Sequence, residues 1–372
     1  MWQTGTIRVA KIGGIAVDIH FTFALVVLWG AFSGWQRGGG LEGAVLGIVA
    51  ILVLFGCVLL HELGHGLQAR TLGLVVRRVI LLPIGGLALL ETPPSRPWHE
   101  LVIALAGPLV NLGLMAVAVI AIVVTNPAFV FTTDILTRAT VAPGIEGVLV
   151  YLLSINLSLF LFNMLPAFPM DGGRVLRAGL ALLTPYVVAT RIASWIGRGL
   201  AALMALMGVI GFFAYGLGQY LLLIVVGLVV YYGAYNEEVY VRRQWALARV
   251  EVGQIYQKRI ETVSPWDNLT AALITKLFKY ERILPVIVDE RIVGLLGYDE
   301  AHKFVNKAQA VTVAHVMRTD FPTLGLRDTL WVALQAMTTD HLTLLPVVEG
   351  NRFRGVVSLD DIDQAWRLVS SR

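Results

Sequence analysis

The run His61-Glu62-Leu63-Gly64-His65 has the plainest capacity for chemistry in this sequence. Residues four apart lie one above the other on a helix, so His61 and His65 can aim imidazole nitrogens at one cation. Glu62, about 100° round the axis, is poorly placed as a third ligand on that face but can reach a metal-activated water. The preceding 18 residues, Gly43–Leu60, carry no charge. Polar side chains at membrane depth are costly unless paired or ligated, which makes this cluster functional by default. From His61 to Arg70 a helix rises roughly 13 Å, which sets the site below the membrane surface and requires a polar cleft for water. A catalytic zinc keeps three protein ligands and one open position. The candidate for the third ligand is Asp171, in Asn163-Met164-Leu165-Pro166-Ala167-Phe168-Pro169-Met170-Asp171-Gly172-Gly173-Arg174. Its prolines and glycines prevent a continuous helix, and a broken helix can turn a carboxylate inward. Taken alone, Asp171 is also readable as a turn residue at the cytoplasmic edge; the two histidines favour the ligand. His20, His99, His302, His315 and His341 have no partner at metal spacing and read as interfacial or surface residues.

The elements that must carry these residues are membrane helices. Of 372 residues, 57% are hydrophobic, and the mean hydropathy is +0.74, beyond the range of an ordinary soluble domain. Residues 1–236 hold 12 Lys/Arg and 8 Asp/Glu, against 17 and 17 in residues 237–372. A bilayer-embedded part is thus followed by a water-soluble part, with the boundary near Asn236-Glu237-Glu238. The net charge of +4 belongs to the first part, where it orients helices, and gives no case for nucleic acid. Cys57, the only cysteine, excludes an internal disulfide and a cysteine-based zinc site. The N-terminus lacks a signal-peptide pattern, so the first span is expected to stay.

Six stretches are apolar enough to cross a bilayer: Phe21–Trp35, Gly43–Ala69, Leu101–Val124, Glu146–Leu165, Ile192–Ala214 and Leu217–Tyr235, with a tight turn at Gly216-Leu217-Gly218. Arg8 and Lys11, then Arg70, Arg77, Arg78 and Arg96, then Arg174 and Arg177, then Arg242 and Arg243 make every second loop basic, which puts both termini and the soluble part in the cytoplasm. Between the second and third spans, two apolar runs punctuated by Pro83 and Gly85-Gly86 read as a β-hairpin too short to span. Such a hairpin is tolerable at membrane depth only against protein or a wet cavity.

The soluble part repeats itself at a spacing of about 60 residues. Ile283-Leu284-Pro285-Val286-Ile287-Val288-Asp289, with Ile292–Leu296 after it, recurs as Leu344-Leu345-Pro346-Val347-Val348-Glu349, with Phe353–Val357 after it. A helix-like segment precedes each copy (Leu269–Tyr280; Thr329–Thr339) and a short acidic one follows (Asp299–Val305; Asp360–Val369). Each α+β unit is too small to bury a full core alone, so the two should pair.

Together, the His61–His65 run and the Asn163–Gly173 segment resemble the site-2 protease family of intramembrane metalloproteases, in its six-span branch with a C-terminal pair of CBS domains. Met170 departs from the family's usual leucine, a swap that conserves volume. The resemblance implies a polytopic α-helical membrane protein, about six transmembrane helices with a short β-hairpin, plus a cytoplasmic α+β CBS pair. Its expected divisions are a metalloprotease domain over 1–236, a linker over 237–251, and CBS-like domains over 252–309 and 310–372. It implies one zinc ion held by His61, His65 and Asp171, with Glu62 as catalytic acid and base. Ala106-Gly107-Pro108-Leu109-Val110-Asn111 resembles the family's Gly-Pro-x-x-Asn element in the third span, and the family asparagine that matches Asn163 lies near the metal. Asn163 and Asn111 are thereby candidates for contact with substrate or its oxyanion, and Gly85-Gly86 for a sheet edge that takes an unwound substrate as an added strand. For Asn163 a helix–helix hydrogen bond is the alternative.

The expected partners are a membrane-anchored protein substrate and the lipid bilayer. In the second CBS copy, Ser358 and Asp361 fit the family's pattern for an adenine nucleotide; in the first, Gly297 and Glu300 replace the corresponding residues. The pair is otherwise structural, or joins two copies as a homodimer. Two rival readings are a CBS-gated channel or transporter, which leaves Glu62 between two histidines unexplained, and a prenyl-processing zinc protease, which leaves the Asp171 motif and the CBS pair unexplained.

Overall fold

The computed structural model describes residues 5–83, 85–90, 96–130, 144–216, 218–272, 283–304 and 311–370. Near its start the chain folds back at Gly13-Gly14, both at positive φ (55° and 82°). A two-residue loop of that kind matches the twist of a hairpin, and it joins β1 (Thr6–Ile12) to β2 (Ile15–His20) with Ile12 opposite Ile15. Strand β2 pairs in parallel with β3 (Val76–Leu82), and β3 pairs antiparallel with β4 (Gly85–Leu90). The hairpin expected at 77–90 is therefore half of a four-stranded sheet of order β1-β2-β3-β4, and among the described residues β4 has a strand neighbour on one side only. Asp18, buried in β2, pairs with Arg8 of β1 at 3.1 Å and Arg78 of β3 at 3.3 Å. Two arginines expected as loop charges thus neutralise a carboxylate inside the sheet.

Between β2 and β3 lie α1 (Phe23–Gly34), a π-helical segment (Trp35–Gly39) and α2 (Gly40–Thr71). After the sheet come α3 (Pro97–Thr125), α4 (Gly144–Asn163), α5 (Asp171–Ala181), α6 (Tyr186–Tyr215) and α7 (Gln219–Leu247). Among the described residues five helices are long and apolar enough to cross a membrane: α2, α3, α4, α6 and residues 220–247 of α7. Only 17–33% of each apolar window is buried, so the apolar side chains face outward, as lipid requires. The first expected span differs: α1 has 12 residues and its π-helical continuation 5, short of the about 20 that one crossing needs. It runs antiparallel to the first half of α2 at glycine-to-glycine distance. A Cβ at Gly34 would stand 1.9 Å from the Gly43 carbonyl oxygen, and one at Gly47 2.0 Å from that of Gly30.

The chain divides into two compact units, Met1–Glu238 and Val239–Arg372, within α7. Residues 237–251, expected as a linker, remain helical to Leu247, whose fully buried side chain belongs to a core of the second unit. That unit contains α8 (Leu269–Ala272), β5 (Ile283–Val288), β6 (Arg291–Gly297), α9 (Tyr298–His302), β7 (Leu324–Gly325), α10 (Leu330–Asp340), β8 (Leu344–Glu349), β9 (Arg352–Ser358) and α11 (Leu359–Ser370). The expected helix to Tyr280 and the acidic segment to Val305 end outside the described residues. The two repeats exchange their leading segments. Val252 packs with Leu324, Leu330 and Val357 of the second copy, whereas Val313 packs with Val263, Leu284 and Val286 of the first. Bridges Gln257 to Val356 and Leu295 to Arg318 seal the exchange. Boundaries at 252–309 and 310–372 therefore cut through both cores, because neither repeat completes its apolar face with its own leading segment.

The α1–α2 contact predicts that Gly47→Leu overpacks the helix pair and destabilises the chain by about 1–3 kcal/mol. Gly56→Leu, where a Cβ meets nothing within 4 Å, is expected to be neutral. Thermal unfolding of the full chain in detergent micelles separates the two.

Candidate metal centre

His61 and His65 lie one turn apart on α2, both buried. Their Nε2 atoms are 3.1 Å from each other, and each is 3.1 Å from Asp171 Oδ2. Asp171 opens α5, and its approach depends on the chain before it. Pro166 and Pro169 keep residues 164–170 out of a helix, and Met170 has extended backbone (φ −71°, ψ 161°). The first turn of α5 then sits directly on that loop. A Cβ at Gly172 would lie 2.3 Å from the Leu165 carbonyl oxygen, and one at Gly173 2.6 Å from the Phe168 nitrogen. The Gly-Gly pair is thus what lets Asp171 be carried inward.

The remaining ring nitrogens settle which lone pairs face the centre. His65 Nδ1 donates to the Ile103 carbonyl at 2.7 Å, so its Nε2 carries a lone pair. His61 Nδ1 donates to Asn111 Oδ1 at 2.5 Å. Asn111 Nδ2 in turn donates to Asn156 Oδ1, and Asn156 Nδ2 to the Leu152 carbonyl, both at 2.8 Å. That backbone acceptor fixes the direction of the whole chain of bonds. Two imidazole lone pairs and a carboxylate oxygen therefore converge with no proton between them, an arrangement that calls for a cation. The donor set is one that zinc favours, and tetrahedral geometry at about 2.0–2.1 Å from each ligand sets ligand atoms roughly 3.3 Å apart. The observed triangle fits. Among the described residues this is the one group of three or more His, Cys, Asp or Glu side chains with convergent ligand atoms.

Helix α3 forms the wall behind the triangle. A Cβ at Gly107 would stand 2.2 Å from His65 Nε2 and 2.7 Å from His61 Nε2. Asn111 is fully buried. The oxygen of its amide is engaged by His61 and the nitrogen by Asn156. Glu62 is half-buried and lies against β4, where a Cβ on Gly86 would lie 2.3 Å from its Cγ and 3.2 Å from its Oε1. Gly85, also on β4, has φ +141°. Asn163 ends α4, half-buried.

Sequence reasoning passed over Gly107 as a wall and Asn156 as the second link from His61. The available signal for Asn156 was an amide inside an apolar helix, which needs a partner. It also passed over Arg177, read as a loop charge but only 4% exposed. Burial alone would lower the Arg177 pKa; the carboxylates of Glu100 and Glu237 outweigh it and hold the guanidinium above its ordinary range. In the second unit, Ser358 and Asp361 cap α11 reciprocally. Asp361 Oδ2 accepts from the Ser358 amide at 2.9 Å and hydroxyl at 2.7 Å, and Ser358 Oγ accepts from the Asp361 amide at 3.2 Å. Gln257 Nε2 also donates to the Asp361 carboxylate. In the first repeat, a Cβ at Gly297 would lie 2.1 Å from Glu300 Oε2.

Known proteins resemble this chain in both of its parts. The profile of peptidase family M50 matches residues 49–207, and that of the CBS domain residues 313–367. A zinc metalloprotease of Methanocaldococcus jannaschii is 32% identical over 372 residues, covering 98% of this chain and 97% of that protein. Rip3 of Mycobacterium tuberculosis is 31% identical over 278 residues, covering 71% of this chain and 66% of that protein. A solved site-2 protease from Methanocaldococcus jannaschii shares 37% identity, covers 63% of this chain and 95% of its own, and superposes with a TM-score of 0.42.

Two substitutions test the wall and the histidine support. Gly107→Ala is expected to keep its helix and lose stoichiometric zinc, because its methyl group takes the space of the ligand nitrogens. Asn111→Ala is expected to weaken zinc binding about 10–100-fold by releasing His61. Metal analysis of the full chain in detergent, after competition with a chelator, reads both.

Proposed function

The chain belongs to peptidase family M50, and on that premise we propose that it cuts peptide bonds within or beside the membrane-spanning segments of membrane-anchored proteins. In this reading His61, His65 and Asp171 hold one zinc ion. The observation that carries it is the triangle of unprotonated donors among apolar helices, with Glu62 beside it and facing a sheet edge. Zinc held there supplies a Lewis acid that polarises the scissile carbonyl and acidifies water. Glu62 takes a proton from the water whose oxygen attacks the carbonyl carbon, then delivers it to the amide nitrogen as the carbon–nitrogen bond breaks. The balance is one peptide bond and one water consumed, with one carboxylate and one ammonium group formed, both water protons ending on the leaving nitrogen.

A membrane helix shields its peptide bonds with its own hydrogen bonds, so the substrate must first unwind. The free edge of β4 can take the extended segment as a fifth strand, and Gly86 brings that edge against Glu62. Asn163, at the end of α4, is the amide left for the oxyanion once Asn111 is committed to His61. In this reading the termini and the CBS pair face the cytoplasm, which the basic residues of alternate loops support. In that arrangement α1 and its π-helical continuation pack beside the first half of α2 as a hairpin. The CBS pair adds regulation by an adenine nucleotide near Ser358 and Asp361, supported by their half-buried position at the start of a helix whose dipole favours anions.

Glu62→Gln is expected to abolish cleavage of a membrane-anchored reporter while bound zinc stays near one per chain; cleavage that persists removes Glu62 from the role given to it. For the CBS pair, titration calorimetry of the full chain in detergent with ATP and AMP should give saturable heat that Asp361→Ala removes. Heat no greater than dilution would assign the pair to a structural role.

A further inference from the structure

Arg177 lies six residues beyond Asp171 on the same short helix, and its guanidinium makes three hydrogen bonds to two carboxylates. Its Nε donates to Glu100 Oε1 at 3.0 Å; Nη2 donates to the same oxygen, and Nη1 donates to Glu237 Oε1. The rings of Phe168 and Tyr186 lie 4.8 Å and 5.0 Å from its guanidinium carbon. Phe168 belongs to the loop that delivers Asp171, Tyr186 to α6 and Glu237 to α7. Glu100 stands in the first turn of α3. Arg177 and Glu100 are both buried, at 4% and 6% exposure.

What Glu100 shares a helix face with gives the contact its significance. Glu100, Ile103, Gly107 and Asn111 follow at intervals of three and four, which is one stripe of α3. Ile103 accepts from His65, Gly107 stands against both Nε2 atoms, and Asn111 accepts from His61. One stripe therefore supports both histidines and, at its end, grips the helix that carries the third ligand. Two of the three ligand atoms are positioned through α3 directly. The third is referred to the same helix through Arg177.

We propose that Arg177, held by Glu100 and Glu237, is a positioning residue that sets Asp171 at ligand distance from the two histidines. The proposal rests on the zinc reading above and adds to it a specific mechanical route. A fork-shaped guanidinium fixes orientation as well as distance, which a lysine ammonium at the same place does not. An apolar pair could pack the space but would leave α5 free to slide on α3.

The test follows the rate at which the full chain in detergent gives up zinc to a chromophoric chelator. Arg177→Lys keeps the charge and loses the fork. Glu100→Met combined with Arg177→Met removes both charges and leaves Glu237, which is partly solvated. Both variants are expected to release zinc about 10–100-fold faster than the unsubstituted chain. In an Asp171→Ala background, Arg177→Lys should change the rate by less than about twofold, because its influence passes through the ligand already removed. Folded variants that release zinc at the original rate overturn the proposal. So does an equal acceleration in the Asp171→Ala background, which would mark general loosening of the fold. Failure of both variants to elute as folded protein would make the cluster a folding determinant and also overturn it. An Asp171→Ala chain that holds zinc as tightly as the original overturns the ligand reading beneath it, a result distinct from any given by Arg177.

Discussion

The structure depends on a condition imposed by low dielectric: each polar group brought among apolar helices must have its hydrogen bonds completed there. The two histidines show how this condition becomes geometry. Each imidazole must place its Nδ1–H on an acceptor, and the acceptors, Asn111 and the Ile103 carbonyl, lie on one helix. Satisfying the rings therefore also fixes their orientation and exposes both Nε2 lone pairs to the same point. The amide of Asn111 then needs an acceptor of its own, which draws in Asn156 and finally the Leu152 carbonyl. Support and satisfaction are one network. That is why truncating an outer member disturbs the ligands and leaves a buried donor or acceptor unmet, at a cost of about 1–3 kcal/mol for a neutral group.

The same condition governs which parts of this arrangement could be read from sequence. The His61–His65 spacing is legible because helical geometry fixes it over one turn, with no knowledge of the rest of the chain. Asp171 is legible because Pro166, Pro169 and Gly172-Gly173 announce a broken helix in an apolar context. The acceptors of the histidines are not, since Ile103 contributes a backbone oxygen and any residue type supplies one. Gly107 gives no local sign that its missing side chain is what matters. Arg177 is misleading for a physical reason: alternate basic loops orient membrane helices, and an arginine buried between two glutamates adds to the same tally. The N-terminal hairpin carries its turn openly in Gly13-Gly14, yet Arg8 and Lys11 give β1 the composition of a charged flank. Only the sheet shows that Arg8 has a buried carboxylate opposite it.

The soluble unit departs from a simple reading of repeats in a related way. A spacing of about 60 residues predicts two like domains divided between copies, but the cores are assembled across that division. Each repeat gives up its leading segment and receives the other's, so neither is a folding unit by itself and the pair is the smallest stable object. Ser358 and Asp361 acquire a double character in consequence. They complete the start of α11, while Gln257, from the segment preceding the first repeat's sheet, reaches the same carboxylate. A ligand engaging Asp361 would compete with a contact made across the exchange. Occupancy there would thus bear on how firmly the two copies are joined.

The closed side of the metal centre and its open side are built from different materials. Behind the ligands, Gly107 brings backbone so near that no side chain fits, and α3 seals that face with a packed helix. On the other side Glu62 faces a strand, and a strand at the end of a sheet is an unfinished object, with backbone donors and acceptors that lipid cannot satisfy. A helix there would have closed the cavity and met its own hydrogen bonds. The strand edge instead leaves a demand that an extended peptide can meet and a helical one cannot. In the proposed function unwinding and binding would be coupled: the backbone groups a substrate uncovers as its helix opens are the ones the edge lacks. Glu62 then stands where the two meet, so that a site built from fixed donors on one face would accept a chain that must change its structure to enter.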